Sequence, residues 1–258
     1  METSLISAPD RQLQIVDLVG RHQRISVDDI CTTFNVSMAT ARRDLDALAS
    51  EGKIQRVHGG AIPVSHVQSE APILLRQREQ ADEKIRIGQA AAELALEGET
   101  IFLGSGTTVL EMARNLRRRR NLTIITNSLP VVNTLAGLEG ITVICLGGML
   151  RDSELSFIGH LTELALGEVR ADKVFIGTRA ISLEYGLTHE YLPETMTDRA
   201  ILKVGKQIIV LADHTKFCHT ETVLLAALER IHTIVTDQGT PADITDSIQS
   251  KGICMHIA

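Results

Sequence analysis

The stretch Ser37-Met-Ala-Thr-Ala-Arg-Arg-Asp-Leu-Asp-Ala-Leu48 decides how the first part of this 258-residue chain folds. It opens on serine, a favourable N-cap residue, and its apolar residues, including Leu45 and Leu48, recur at helical spacing. Arg42 and Arg43 follow its small and polar first residues within one turn. The stretch therefore predicts a helix that packs on a core and offers two arginines to solvent.

The segments on either side of this helix complete a winged helix-turn-helix. Residues Arg11–Gly20 carry apolar side chains at helical spacing, and Ser26 caps a second predicted helix that ends near Phe34. A tight turn joins that helix to the stretch above, which is the layout of a helix-turn-helix. Residues 53–62 then alternate apolar and polar side chains around a Gly-Gly pair, which predicts a β-hairpin.

This layout indicates DNA binding, because the second helix of such a motif lies in the major groove and reads base edges. Residues 1–60 hold seven Lys and Arg against eight Asp and Glu, so their charge alone does not indicate nucleic acid. A three-helix packing module with solvated arginines is the alternative. The candidate DNA-binding residues are Ser37, Met38, Ala39, Thr40, Arg42, Arg43, Lys53, Arg56 and His58.

The composition is that of a soluble globular protein with an aliphatic core. Hydrophobic residues make up 44% of the chain, charged residues 22% and aromatic residues 3%, and the net charge is −6. There is no apolar run of about 18 residues and no basic-then-apolar start, so we expect neither a membrane span nor a signal peptide. The four cysteines match no metal or disulfide spacing, so we expect a reduced, cytoplasmic protein without metal or cofactor.

The chain is expected to contain a DNA-binding domain over residues 1–62, a linker over 63–77 and a larger domain over 78–258. A helical pattern runs from about 78 to 96. Strands and helices then alternate, which predicts an α/β domain with a mostly parallel sheet between two helical layers. The predicted helices lie near 107–117, 129–137, 160–168, 194–204 and 242–250. The predicted strands are Thr100–Leu103, Leu122–Thr126, Thr142–Leu146, Lys173–Ile176, Gln207–Leu211, Thr233–Thr236 and Ile253–Ile257.

The loop after the first of these strands, Gly104–Thr108, indicates an anion site. Its glycines permit close approach, and the free N–H groups at the start of the next helix attract a phosphate. It is neither a dinucleotide fingerprint, because Val109 stands where the third glycine belongs, nor a P-loop. A loop that only caps the helix is the alternative.

Three further loops follow predicted strands, namely 126–128, 146–151 and 213–216. They are expected on the same edge of the sheet, where open α/β sheets bind ligands. Thr-Asn-Ser offers small polar groups, Gly-Gly permits close approach, and the cationic side chains can meet an anion. Structural caps and an Asx turn at Asp213 are the alternatives. The candidate ligand-binding residues are Ser105, Gly106, Thr107, Thr108, Thr126, Asn127, Ser128, Gly147, Gly148, Arg151, Asp213 and Lys216.

Several spaced motifs resemble the DeoR family of sugar-metabolism repressors. In the first domain they are Phe34-Asn-Val-Ser37, Thr40-Ala-Arg-Arg-Asp-Leu45 and Arg56-Val-His-Gly-Gly60, with Ala41 where the family usually has Ile. In the second domain they include Ser105-Gly-Thr-Thr, Thr126-Asn-Ser, Leu146-Gly-Gly, Gly186-Leu-Thr and Asp213-His-Thr-Lys. Arg78, Glu83 and Lys84, which precede the first of these motifs, also fit the family. The resemblance covers about residues 10–237. It departs at Gly104, where the family often has Asp, and at Asp198, where a Lys is common.

The resemblance implies a homo-oligomeric repressor of a carbohydrate catabolism operon. Its C-terminal α/β domain is expected to resemble sugar-phosphate isomerases and deaminases and to bind a phosphorylated sugar that controls DNA affinity. The alternative is a sugar-phosphate isomerase or deaminase with an accessory DNA-binding module. That enzyme would need a base, for which Asp213, His214 and Glu190 are the candidates.

Two further groups of polar residues have open roles. Arg117–Arg120 is expected to be a solvated helix end, with a second DNA contact as the alternative. Residues His189, Glu190, Tyr191 and Glu194 are expected either to cover the ligand or to form an oligomer contact. Their spacing matches no metal site that we can assign.

Overall fold

The protein is described here by a computed structural model that covers residues 7–22, 24–51, 53–57, 59–63 and 72–258. Its internal contacts divide the chain between Ser69 and Glu70 into two compact units. The N-terminal unit is a winged helix-turn-helix and the C-terminal unit is an α/β domain, so the predicted fold class is confirmed. No helix in the described ranges is long and apolar enough to cross a membrane.

The N-terminal unit combines helices with a small antiparallel sheet, in which strands Ile25–Ser26 and Ile54–Val57 both pair with the central strand Gly60–Pro63. Its hairpin pairs Val57 with Gly60, as the Gly-Gly signal predicted. The candidate residue His58 lies outside the described residues. The elements of this unit are α1 (Ala8–His22), β1 (Ile25–Ser26), α2 (Val27–Phe34), α3 (Met38–Ser50), β2 (Ile54–Val57) and β3 (Gly60–Pro63).

Side-chain caps fix where α2 and α3 begin. The Ser26 hydroxyl accepts a bond from the Asp29 amide (3.0 Å), and the Asp29 carboxylate accepts one from the Ser26 amide (2.9 Å). The Ser37 hydroxyl accepts a bond from the Thr40 amide at 3.2 Å. Asn35 adopts φ +51° between the two helices and turns the chain. Both predicted caps are confirmed, because a cap depends on residues within one turn.

A compact apolar core holds the N-terminal unit together. Ile15, Ile30 and Leu45 are fully buried in it, and one buried ion pair joins α1 to α3 beside it. In that pair Arg11 donates to Asp44 at 2.6 Å. The ion pair and the core fix the face that α3 turns inward, and therefore the face that it turns outward.

The C-terminal unit is built on a parallel sheet whose strands, from one edge to the other, are β15 (Cys254–Ile257), β14 (Thr233–Thr236), β12 (Gly205–Leu211), β9 (Ala171–Gly177), β4 (Thr100–Leu103), β5 (Leu122–Thr126) and β6 (Ile141–Cys145). Each face of the sheet is covered by its own apolar cluster. The elements of this unit are α4 (Ile73–Arg76), α5 (Ala81–Glu93), β4 (Thr100–Leu103), α6 (Thr107–Leu116), β5 (Leu122–Thr126), α7 (Leu129–Leu135), β6 (Ile141–Cys145), β7 (Met149–Arg151), β8 (Ser156–Ile158), α8 (His160–Gly167), β9 (Ala171–Gly177), β10 (Ala180–Ser182), β11 (Gly186–His189), α9 (Leu192–Ile201), β12 (Gly205–Leu211), β13 (Val223–Ala226), β14 (Thr233–Thr236), α10 (Ala242–Ser250) and β15 (Cys254–Ile257).

The strand order places β9 between β4 and β12, although these strands are far apart along the chain. Ile101 in β4 pairs with Lys173 in β9, and Gln207 in β12 pairs with the same lysine from the other side. Because all strands of this sheet are parallel, their carboxyl ends share one edge. The loops after β4, β9 and β12 are therefore neighbours in space.

Two small antiparallel groups of strands were not predicted. One is the β7–β8 hairpin, and the other is the sheet with the order β10-β11-β13. Both rest on short strands of three or four residues. Such short segments carry little periodicity of their own and form because the larger sheet gives them a surface to pack on.

The predicted linker over residues 63–77 is wrong at both ends. Pro63 is the last residue of β3 and pairs with Ile54. Ile73–Arg76 form helix α4 in the C-terminal unit, where Ile73 is buried and its amide donates to the Ser153 carbonyl at 2.7 Å. The helix predicted from about residue 78 begins at Ala81. Residues 64–71 lie outside the described ranges.

Candidate functional site

The outward face of α3 is the candidate nucleic-acid interface. Its exposed residues are spaced as one helical face, opposite the buried residues Asp44 and Leu45. Arg42 and Arg43 lie on this face, and neither forms an ion pair with any other described residue. The full charge of both guanidinium groups is therefore available to a phosphate or a base edge. The exposed residues of α3 near its start are Met38, Ala39, Arg42 and Arg43, with Ser37 exposed just before them.

The two candidate DNA-binding residues at the hairpin that the structure describes differ from the arginines of α3, because both already form ion pairs. Lys53 pairs with Glu51 at 2.7 Å, and Arg56 pairs with Asp46 at 3.0 Å. Arg56 also donates to the Gly60 carbonyl at 3.0 Å. These cations are already partly neutralised, and Arg56 fixes the hairpin against α3.

The C-terminal unit has a cleft where β4, β9 and β12 end. The loop from Gly104 to Thr108 lies on one side, Gly177–Arg179 at the middle, and Asp213 with Lys216 on the other side. Six of the predicted ligand-binding residues line this cleft, namely Ser105, Gly106, Thr107, Thr108, Asp213 and Lys216.

The amide groups at the start of α6 make this cleft suitable for an anion. Thr107 and Thr108 are the first residues of α6, and the first amides of a helix have no acceptor within it. Gly106 precedes them with φ +110°, a backbone conformation that residues other than glycine rarely adopt. The loop therefore turns N–H groups, two hydroxyls and the positive end of the helix dipole toward the cleft.

The loop at Asp213 is fixed by bonds within and behind it. The Asp213 carboxylate accepts a bond from the Thr215 amide (3.0 Å), which forms the Asx turn that was the alternative interpretation. His214 is held by Asp237, which accepts bonds from the His214 amide (2.7 Å) and lies 2.8 Å from its ring Nδ1. Burial alone would raise the pKa of Asp237, but the bonds from the His214 and Gly239 amides together with the His214 ring outweigh it and lower that pKa. The turn thus places Lys216 at the cleft.

Thr126, Asn127 and Ser128 do not line the cleft, contrary to the prediction. All three are buried, and among the described residues the Asn127 side-chain oxygen has no hydrogen-bond partner. The Thr126 hydroxyl donates to the Leu103 carbonyl (2.6 Å), and the Asn127 side-chain amide donates to the Phe157 carbonyl (2.9 Å). Strand β5 lies beyond β4 in the sheet, so its end holds β8 in place.

Gly147, Gly148 and Arg151 are also outside the cleft. The Thr162 hydroxyl donates to the Gly147 carbonyl at 2.9 Å, and a Cβ on Gly148 would lie 2.1 Å from that hydroxyl. These glycines therefore allow α8 to pack closely. Arg151 forms an ion pair with Glu194 and lies 4.4 Å from the centre of the Tyr191 ring, so it holds a residue of the cleft wall.

The sequence analysis named part of the charged wall of the cleft, because His189 and Glu194, which were expected either to cover the ligand or to form an oligomer contact, line it. Arg76, Lys84 and Arg179 supply positive charge to it, and the acidic residues lie among them. Polar residues at the end of β9 follow the same strand-end rule as the predicted loops, so Thr178 and Arg179 could have been found. The other lining side chains come from elements whose positions only the tertiary structure gives. The additional charged or titratable lining residues are Glu79, Glu154, His189, Glu194 and Asp198.

Glu154 is a strongly perturbed acid in the wall. It is buried between Arg76 and Arg179, and Arg179 donates to it at 2.7 Å. Burial raises the pKa of Glu154 to about 8, Arg76 opposes this shift, and the nearby Glu194 adds to it. The carboxyl therefore holds its proton more tightly in the folded protein than in the unfolded chain.

We expect this proton to make stability depend on pH. The contribution of Glu154 is complete below its ordinary pKa of 4.5 and is lost as pH rises toward about 8. Glu154→Gln, which mimics the protonated acid, should therefore gain stability relative to the wild type as pH rises through this window. Urea unfolding of both proteins across the window measures the difference. The exposed Glu139→Gln should show no such trend, and a flat difference for Glu154→Gln would contradict the assignment.

His189, Glu194 and Asp198 are the described residues whose ligand atoms could hold a metal ion. These atoms all lie within 4.8 Å of one another, and the three residues are buried. Glu194 is already paired with Arg151, and the Asp198 carboxylate lies 3.3 Å from His189 Nδ1. Glu194 is thus balanced by the Arg151 cation, and we assign the cluster to the cleft wall rather than to a metal.

Comparison with known proteins identifies both units. The family described as the DeoR-like helix-turn-helix domain matches residues 11–67, and the DeoR C terminal sensor domain matches residues 79–238. Transcriptional repressor AccR of Agrobacterium fabrum is 37% identical over 95% of both chains. The HTH-type transcriptional regulator IolR of Bacillus subtilis is 31% identical over 95% of this chain and 97% of its own.

Two further proteins are similar to this chain. The glycerol-3-phosphate regulon repressor of Escherichia coli is 33% identical over 94% of this chain and 96% of its own. Among solved structures, ribose 5-phosphate isomerase A of Methanocaldococcus jannaschii covers 54% of this chain and 56% of its own, with 20% identity and a TM-score of 0.40.

Proposed function

Because the chain belongs to the DeoR family of transcriptional regulators, we propose that it represses a carbohydrate catabolism operon under the control of a phosphorylated sugar. Its relatives are regulators over nearly their whole length, so the chain is a DNA-binding regulator and not an enzyme. This excludes the alternative of an isomerase or deaminase with an accessory module.

The observation that supports a phosphorylated effector is the cleft at the ends of β4, β9 and β12. It combines the amide-rich start of α6 with the cations Lys84 and Lys216, a set of groups that suits a phosphate. The acidic wall opposite offers acceptors for sugar hydroxyls, with Glu194 and Asp198 as examples. We assign the ligand-binding role to the predicted residues that line the cleft, which are Ser105, Gly106, Thr107, Thr108, Asp213 and Lys216.

DNA binding is assigned to the outward face of α3, with the hairpin beside it. Arg42 and Arg43 supply base and phosphate contacts, and Lys53 and Arg56 reach flanking phosphates. Two copies of the chain would read half-sites about one helical turn apart, or a multiple of that distance. A ligand that binds the protein more tightly off DNA than on DNA would release it from the operator.

A thermal-shift screen tests the effector. We expect at least one phosphorylated sugar to raise the unfolding temperature, because a ligand that binds only the folded state stabilises it. The panel includes pentose and hexose phosphates and glycerol 3-phosphate, each beside its unphosphorylated parent as the matched control. The same compound should change the affinity of the protein for its operator in a gel-shift assay. Equal stabilisation by a parent sugar, or none by any phosphate, would contradict the proposal.

A further inference from the structure

The first residues of the C-terminal unit that the structure describes, 72–80, are called the lead segment. They contain α4 and the turns that follow it, and the chain from the DNA-binding unit joins the C-terminal unit through them. The segment ends at Gln80, which adopts φ +47° although it is not a glycine. A side chain in the left-handed region costs free energy, so other contacts must hold this backbone in place.

Lys84 supplies two of those contacts from the first turns of α5. Its ammonium group donates to the Arg76 carbonyl at 2.7 Å and to the Glu79 carbonyl at 2.6 Å. Arg76 is the last residue of α4, so this bond satisfies a carbonyl at the end of a helix. The two bonds clamp both halves of the lead segment to α5.

The same ammonium group lines the cleft. Lys84 is 5% exposed and faces the cleft together with the Gly104–Thr108 loop and Lys216. An ammonium has three N–H donors, and within the described part of the chain two of them are used by the lead segment. The third is available to a ligand.

The charge on Lys84 is sensitive to its surroundings. Burial lowers its pKa, while the nearby Asp213 raises it and Lys216 lowers it further. A phosphate in the cleft would add negative charge close to the ammonium and favour its charged form. A phosphate on the third donor would also hold the ammonium at the cleft, so its bonds to the Arg76 and Glu79 carbonyls would open less often.

We propose that Lys84 is a phosphate-binding residue that couples occupation of the cleft to the order of the lead segment. A phosphate takes the third donor of the ammonium, and the other two then hold the Arg76 and Glu79 carbonyls more firmly. The coupling rests on the proposed function of the cleft. It gives ligand binding a direct effect on the segment through which the DNA-binding unit is attached.

Hydrogen–deuterium exchange tests the coupling on the full-length wild type, with inorganic phosphate as the probe. At phosphate concentrations that saturate the thermal shift, the amides of residues 75–79 should exchange roughly tenfold more slowly, as expected for one strengthened charge-assisted bond. Strand β15, far from the cleft in the sheet order, should not change. Sodium chloride of equal ionic strength is the control for salt.

Two variants remove one cation each from the same cleft. Lys84→Met and Lys216→Met should both bind phosphate more weakly. At phosphate concentrations raised to saturate each variant, Lys216→Met should still protect residues 75–79, and Lys84→Met should not. Protection that persists in Lys84→Met would overturn the role of this lysine.

The wild type alone separates the two proposals, even if Lys84→Met does not fold. Phosphate binding without protection of residues 75–79 would overturn the coupling and leave the proposed effector class in place. An absence of stabilisation by inorganic phosphate and by every phosphorylated sugar of the panel would overturn both.

Discussion

Arg43→Ala should weaken operator binding by about 1–3 kcal/mol, the range for loss of a good arginine contact to a base or phosphate. Arg43 lies on the outward face of α3 and is not paired with a carboxylate among the described residues, so its whole charge is free for DNA. The buried face of the helix, including Leu45, keeps its packing in the variant. Fluorescence anisotropy with an operator selected from random duplexes measures the loss.

The matched control is Arg117→Ala. Arg117 is also an exposed arginine, but it lies at the end of α6 in the C-terminal unit. We expect its removal to leave operator affinity nearly unchanged. An unchanged affinity in Arg43→Ala would contradict our placement of the reading helix. An equal loss in both variants would instead indicate that general charge, including the 117–120 run, drives binding.

Lys216→Ala should weaken binding of the phosphorylated sugar by about 1.5–3 kcal/mol, the value of a hydrogen bond to a charged group. The Asx turn at Asp213 places Lys216 at the cleft, and this turn is held from behind by Asp237. The backbone of the loop does not depend on the lysine side chain. DNA affinity without ligand should therefore stay the same. Calorimetry with the best compound from the thermal-shift panel measures the change.

Lys206→Ala is the control for this variant. Lys206 lies near the start of β12, pairs with Asp172 at 2.8 Å, and has a side chain that is 78% exposed. Its removal takes the same charge from the same strand at the edge away from the cleft, and ligand affinity should not change. Equal ligand affinity in Lys216→Ala and the wild type would remove Lys216 from the site.

Local signals predicted the elements well. The caps at Ser26 and Ser37 and the hairpin around Gly60 depend on neighbours within a few residues, and the structure has all three. Strands β4, β5 and β14 have the predicted bounds, because a buried strand flanked by turn residues can be recognised from a short stretch of sequence.

The site could be predicted only in part, because a cleft depends on which strands are neighbours. The principle that open α/β sheets bind ligands at the carboxyl ends of their strands placed every candidate loop on one edge. The order β12-β9-β4, however, decides which of these loops are neighbours. That order pairs Ile101 with Lys173, and no local pattern shows such a pairing. Thr126 and Gly148 were therefore assigned to the ligand, although they hold neighbouring backbone. Glu154 was missed because its role comes from two arginines distant in sequence.

The order of the two units along the chain also separates their synthesis in time. All described residues of the winged helix-turn-helix lie within the first 63 positions. The cleft, in contrast, is lined by groups from Arg76 to Lys216, so it is incomplete until most of the polypeptide has left the ribosome. A nascent or prematurely terminated chain would thus contain the DNA-reading surface before, or without, the means to regulate it.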